Sequence, residues 1–135
     1  METGPFSIES AQVLPEVSPL SSEVNVEMTW STSKELASAT WEVYYVVDTV
    51  RNRQTINLLV LGPFEYSCGS HSLKVTVPSI DLESLNLSKS QVMNAGLLVF
   101  ELKENEESLV AVNMVVQVVQ KGGELFKTVF SPVEQ

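Results

Sequence analysis

The stretch EVNVEMTW, residues 23–30, alternates apolar and polar side chains without interruption. Successive side chains of a β-strand point to opposite faces, so this alternation predicts a strand with one buried face and one solvated face. Half-buried strands of this kind are typical of antiparallel sheets. The side chains predicted to be buried are Val24, Val26, Met28 and Trp30.

Two further stretches repeat the period of two: ATWEVYYVVD (39–48) and SLVAVNMVVQVV (108–119). Short turn signals separate the runs at a spacing that is typical of a β-sandwich. Only residues 81–96 have a composition compatible with helix, as one or two turns begun by Ser88 and ended by Gly96. The predicted strands are 24–30, 41–47, 71–77, 97–102 and 110–118, and Trp41, Val43, Tyr45 and Val112 are predicted to contribute to the core.

The stretch FSIESAQVL (6–14) breaks the alternation. Phe6 and Ile8 share one face of a regular strand, whereas Ala11 and Val13 fall on the other. A β-bulge, or a strand that crosses from one sheet to the other, is the expected cause.

The length, net charge and composition of the chain limit the classes of function that it can have. The 135 residues are predicted to form one domain, 1–135, large enough for its own core. A net charge of −9 opposes direct binding to DNA or RNA; it either attracts a basic protein partner or simply keeps a small protein soluble. The chain has no apolar run of membrane-spanning length and a single cysteine, so the sequence predicts a soluble, intracellular protein without membrane contact.

The only cysteine and the only histidine, Cys68 and His71, lie in VLGPFEYSCGSHSLKV (60–75). A nucleophilic cysteine needs a histidine within hydrogen-bond reach, but an offset of three residues in a strand places the two side chains on opposite faces. No second cysteine or histidine is available as a metal ligand, and phosphate-loop, dinucleotide-binding and hydrolase motifs are missing. We therefore expect neither catalytic residues nor a cofactor or metal site, and the pair is interpreted as part of a corner between strands.

Four stretches, in order, resemble the anti-silencing histone chaperone family. AQVLPEVSPLSSEVNVEMTW (11–30) is similar to the family's opening strands, and ELASATWEVYYV (35–46) to its Trp-containing strand. LVLGPFEYSCGSHSLKV (59–75) resembles its Gly-Pro turn followed by Gly-x-His. QVMNAGLLVFEL (91–102), followed by LVAVNMVVQV (109–118), resembles its last two long strands.

The resemblance implies an immunoglobulin-like antiparallel β-sandwich that binds the histone three–four pair through an exposed strand face. Val46 and Leu98 match positions on that face and are the predicted protein-binding residues. The chain departs from the family at five other contact positions, where its residues are Arg53, Ser90, Gly96, Ala111 and Val115.

Two functions remain open at this point. The first is a divergent histone chaperone, whose binding should be weak and salt-sensitive because several family anchors are replaced. The second is an immunoglobulin-like adaptor that binds a non-histone protein. The sequence does not specify an oligomeric state.

Overall fold

The computed structural model describes residues 2–48, 53–80 and 94–132, and these form ten β-strands. The strands are Glu2–Thr3 (β1), Phe6–Leu14 (β2), Val17–Pro19 (β3), Val24–Thr32 (β4), Leu36–Asp48 (β5), Arg53–Tyr66 (β6), Gly69–Val77 (β7), Asn94–Glu104 (β8), Glu107–Lys121 (β9) and Glu124–Val129 (β10).

The strands form two antiparallel sheets packed as an immunoglobulin-like β-sandwich. One sheet has four strands in the order β1-β2-β4-β7, and the other has six in the order β3-β10-β9-β8-β5-β6. All five predicted strands are confirmed, because they lie within β4, β5, β7, β8 and β9. Among the described residues, no helix is long and apolar enough to cross a membrane.

The core lies between the sheets and is filled by the side chains that the alternation selects. Trp30 of the four-stranded sheet meets Trp41 of the six-stranded sheet edge to face, with ring centroids 5.5 Å apart. Trp41, Val43, Tyr45 and Val112 are all buried in this core, as predicted.

A β-bulge explains the broken alternation of β2. The pairing between β2 and β4 shifts register between Ile8 and Ser10. The extra residue at the bulge exchanges the inward and outward positions of the strand that follows it. As a result, the inward side chains on both sides of the bulge are buried in the same core: Phe6, Ile8, Ala11 and Val13. Of the two expected causes, the bulge is therefore the correct one.

The corner predicted around Cys68 and His71 is confirmed, whereas Gly62-Pro63, the turn implied by the resemblance, is not a corner. β6 continues through both residues to Tyr66, and β7 begins at Gly69, so the chain turns at Ser67 and Cys68. Gly62 has a φ of 116°, and a Cβ there would lie 2.8 Å from the backbone oxygen of Ala39. The glycine is thus required by a close approach of β5 and β6 inside the sheet.

The helical turn expected within residues 81–96 falls mostly outside the described residues. Its predicted end, Gly96, is described and lies inside β8, paired with Val47 of β5. Gly96 is therefore a strand residue and does not end a helix.

Candidate protein-binding surface

The two outer faces of the sandwich differ in polarity. The outer face of the four-stranded sheet carries mostly polar side chains, several of which bond to one another, and a single large apolar residue, Leu14, among the described residues. Thr76 donates a hydrogen bond of 2.8 Å to the side-chain oxygen of Asn25. Lys74 forms an ion pair of 3.7 Å with Glu27. This face is solvated in the way expected for an antiparallel sheet.

The outer face of the six-stranded sheet instead exposes a group of large apolar side chains, which we call the outer apolar patch. Phe126 pairs directly with Val119, and the Phe130 amide donates a 2.9 Å hydrogen bond to the carbonyl of Val115. Val17, on the edge strand β3, is 57% exposed. The patch comprises Val17, Val115, Val119, Phe126 and Phe130, arranged around the neighbouring polar pair Gln117 and Thr128.

The alternation of inward and outward side chains along β9 explains why part of the outer apolar patch lies on this strand. Val110, Val112, Met114, Val116 and Val118 face the core, so the intervening residues face outward. Valines recur among those outward residues, where a solvated strand normally carries polar side chains. A cluster of exposed apolar side chains on one face is a common feature of protein interaction surfaces.

The predicted binding residues do not share an exposed face. Leu98 is 2% exposed and belongs to the core, where it pairs with Tyr45. Val46 lies on the opposite side of the sheet and is also 2% exposed. The two residues therefore lie on opposite faces of the sheet, because adjacent positions on paired strands alternate between the two faces, and their binding of a partner stays a prediction.

A shift of one residue accounts for this difference. Leu97 pairs with Val46, and Val99 pairs with Tyr44, so Leu97 and Val99 are the outward residues of β8. The run LLVF (97–100) is apolar at every position, so its sequence does not indicate which residues face the core and which face outward. The charged residues that follow, Glu101 and Lys103, share the phase of Leu97 and Val99 and are the signal that could have identified the outer face.

Gly96 also faces the core. A Cβ at Gly96 would lie 2.3 Å from the hydroxyl oxygen of Tyr45 and 2.9 Å from the backbone oxygen of Val46. The Tyr45 side chain occupies the space that a side chain at position 96 would need, so a larger residue cannot be accommodated here without movement of Tyr45. Burial raises the pKa of Tyr45 to about 12.

The other four positions at which the sequence differs from the family that it resembles lie in separate parts of the chain. Ala111 is exposed, and Val115 is exposed within the outer apolar patch. Arg53 pairs in register with Asp48 at the end of the β5–β6 ladder. Ser90 lies outside the described residues.

A polar network covers the other end of this face. Lys103 contacts Glu42 at 2.6 Å and Glu101 at 3.8 Å. Tyr44 and Ser108 both donate hydrogen bonds to Glu101, over 3.3 and 2.6 Å. The hydrogen bond to Glu42 raises the pKa of Lys103 above its usual value. The network links β5, β8 and β9 at the end of the face away from the outer apolar patch.

The burial of Lys127 was not predicted from the sequence, although Lys127 occupies an alternate position between the buried Leu125 and Val129 and so points to the same face of β10. It points into the sandwich and is 2% exposed. Its ammonium group donates hydrogen bonds to the carbonyls of Leu20, over 3.1 Å, and Ser22. Burial lowers the pKa of Lys127 to about 8. The lysine thus ties the connection between β3 and β4 to β10, directly beneath the outer apolar patch.

Cys68 and His71 bond to separate backbone groups. The Cys68 thiol donates to the carbonyl of Ser33 over 3.3 Å, and His71 Nε2 lies 2.7 Å from the carbonyl of Ser67. The His71 ring packs against Tyr66 with centroids 4.8 Å apart. This arrangement fixes the turn between β6 and β7 and gives the thiol a carbonyl, not an imidazole, as its partner.

No group of three or more His, Cys, Asp or Glu side chains in the described residues could hold a metal ion. Comparison with known proteins found no matching family model and no matching curated protein.

Proposed function

We propose that the protein is a protein-binding module that docks a partner on the outer apolar patch. The observation that supports this proposal is the contrast between the two outer faces. One is polar and internally bonded, whereas the other exposes Val17, Val115 and Phe130 together. Burying these side chains against a partner is favourable, because apolar surface is removed from water.

The histone three–four pair is the first specific partner to test. The resemblance of the four stretches and the net charge of −9 both favour a basic partner. Charge accelerates encounter more than it holds a complex together. Retention depends on desolvated anchors, and with Gly96 and Leu98 in the core the family's anchors are missing from the outer face. We therefore expect weak binding that decreases with ionic strength.

The alternative partner is a non-histone protein. The inward orientation of Leu98 favours it, because the contact surface implied by the resemblance is not assembled. The patch would then hold an apolar surface of different shape, with the same fold serving as an adaptor.

Titration with the histone pair at two salt concentrations tests the proposal. The diagnostic variant is Val115→Arg, since Val115 is exposed at the centre of β9 and tolerates a charge without loss of the core. Leu98→Arg is unsuitable because it would bury a charge. Ser72→Arg, on the exposed outer face of the four-stranded sheet, is the matched control for added charge.

Binding that Val115→Arg weakens by about tenfold or more, and that Ser72→Arg leaves intact, supports the histone assignment and the patch together. Binding that both variants weaken equally would contradict the patch as the docking site. No binding at low salt would eliminate the histone pair and leave the adaptor function, to be tested with the same two variants on a captured partner.

A further inference from the structure

β6 is the edge strand of the six-stranded sheet, and its free edge is long. It spans fourteen residues and pairs with β5 on one side. On its other side, no strand in the described part of the chain pairs with it. An edge strand presents unpaired backbone N–H and C=O groups that can pair with another strand.

The side chains of β6 lack the charge that usually protects such an edge. Residues 54–64 include no charged side chain. Val60 is 63% exposed and Phe64 is 38% exposed. Four more apolar side chains are only half-buried: Ile56, Leu58, Leu59 and Leu61. Charged side chains, particularly lysine, are a common means of preventing edge-to-edge association, and β6 has none over this length.

β7, the edge of the other sheet on the same side of the sandwich, is protected in the usual way. Its apolar residues Leu73, Val75 and Val77 face the core. The intervening Lys74 is exposed, as are Ser72 and Thr76. On this side of the sandwich, the apolar, uncharged edge therefore belongs to β6 and not to β7.

The irregularity of β6 makes it complementary to itself. The β5–β6 pairing skips Leu58, which is a β-bulge. Ile56 and Leu58 pack against the core on one side of the bulge, and Leu59 and Leu61 do so on the other. Inward residues are thus even-numbered before the bulge and odd-numbered after it. If a second copy of β6 runs antiparallel to the first, with the two-fold axis between Leu58 and Leu59, its inward residues follow the same pattern in the opposite direction.

We propose that β6 is the interface of a homodimer in which the 56–61 segments of two copies pair antiparallel. Ile56 lies opposite Leu61 of the other copy, and Leu58 lies opposite Leu59, so inward side chains meet inward side chains. The outward Asn57 lies opposite Val60. The pairing brings no like charges together, and it ends where Gly62 and Pro63 interrupt the regular strand. The two sheets become one continuous twelve-stranded sheet across a two-fold axis.

This interface is separate from the outer apolar patch, so it goes beyond the proposed function and can fail independently of it. A short segment buries less surface than a stable interface does, and the dimer is therefore weak. We expect a reversible monomer–dimer equilibrium, measured by sedimentation velocity at protein concentrations up to about 1 mM.

The diagnostic variant is the double substitution Asn57→Lys and Val60→Lys. Both positions are exposed and lie outward, so the fold is retained, which circular dichroism checks. In the proposed register the two lysines lie directly opposite those of the other copy, and we expect the dissociation constant to rise by about tenfold. Gln12→Lys with Ser72→Lys, on the outer face of the four-stranded sheet, adds the same charge as a control and should leave the dimer unchanged.

A mixing experiment tests the register itself. The complementary variant carries Asn57→Glu and Val60→Glu. Each variant alone is expected to dimerise about tenfold more weakly than the wild-type protein, and an equimolar mixture should recover the wild-type strength of association, because lysine then faces glutamate. A wild-type protein that stays monomeric up to the highest concentration would overturn the proposal. So would a dissociation constant that the lysine pair leaves unchanged, or a mixture that associates no more strongly than either variant alone.

Discussion

At the scale of single residues, Lys127 makes stability depend on pH. Its folded pKa of about 8 lies below the ordinary value of 10.5. Between these values the unfolded chain binds a proton that the folded chain has released, so stability increases with pH. We expect the free energy of unfolding to rise by about 2–3 kcal/mol from pH 8 to pH 10, measured by urea denaturation.

The control for this increase is Lys127→Met, which keeps the length of the side chain and cannot titrate. The rise between pH 8 and pH 10 should disappear in the variant. Above pH 10 both proteins should lose stability, because the unfolded Tyr45 ionises while the folded residue, with a pKa of about 12, stays protonated. An equal rise in both proteins would show that Lys127 does not cause it.

At the scale of elements, the turn between β8 and β9 contains a strained residue. Asn105 and Glu106 have φ values of 52° and 68°. Asparagine tolerates this region, whereas a residue such as glutamate costs about 1–2 kcal/mol there. Glu106→Gly should stabilise the protein by about 0.5–1 kcal/mol, since the greater freedom of glycine in the unfolded chain offsets part of the gain.

The matched control for the turn is Glu106→Ala, which removes the same charge and keeps the Cβ. Thermal unfolding of the two variants separates backbone strain from charge. The strain explanation is contradicted if the alanine variant is stabilised as much as the glycine variant.

At the scale of the whole molecule, the net charge of −9 gives the two proposed interactions opposite responses to salt. Two copies of the chain repel each other, and salt screens this repulsion, so self-association should strengthen as ionic strength rises. Binding to the basic histone pair should weaken over the same range. Sedimentation and titration at low and physiological salt measure both, and a shift of both in the same direction would contradict this electrostatic account.

The strands and the core were predictable from the sequence wherever the alternation is clean. Val24, Val26, Met28 and Trp30 lie inside because their pattern leaves one apolar face, and burial of that face is a local requirement. The same reasoning applied to Leu125 and Val129 would have placed Lys127 inside as well. A lysine at a position expected to be buried is hard to accept from the sequence alone. The carbonyls that accept its hydrogen bonds belong to Leu20 and Ser22, more than a hundred residues away.

The tertiary structure alone decided the faces of β2, β6 and β8 and the identity of the exposed edge. A bulge in β2 brought Ala11 to the same face as Ile8, and a phase hidden by LLVF sent Leu98 into the core. Strand register is fixed by hydrogen bonds and packing between distant segments, and a shift of one residue exchanges the two faces. The sequence by itself therefore identified the strands whose alternation is clean, but it did not predict β6, whose residues 58–61 are all apolar; the pairing of the strands determined which residues a partner can reach.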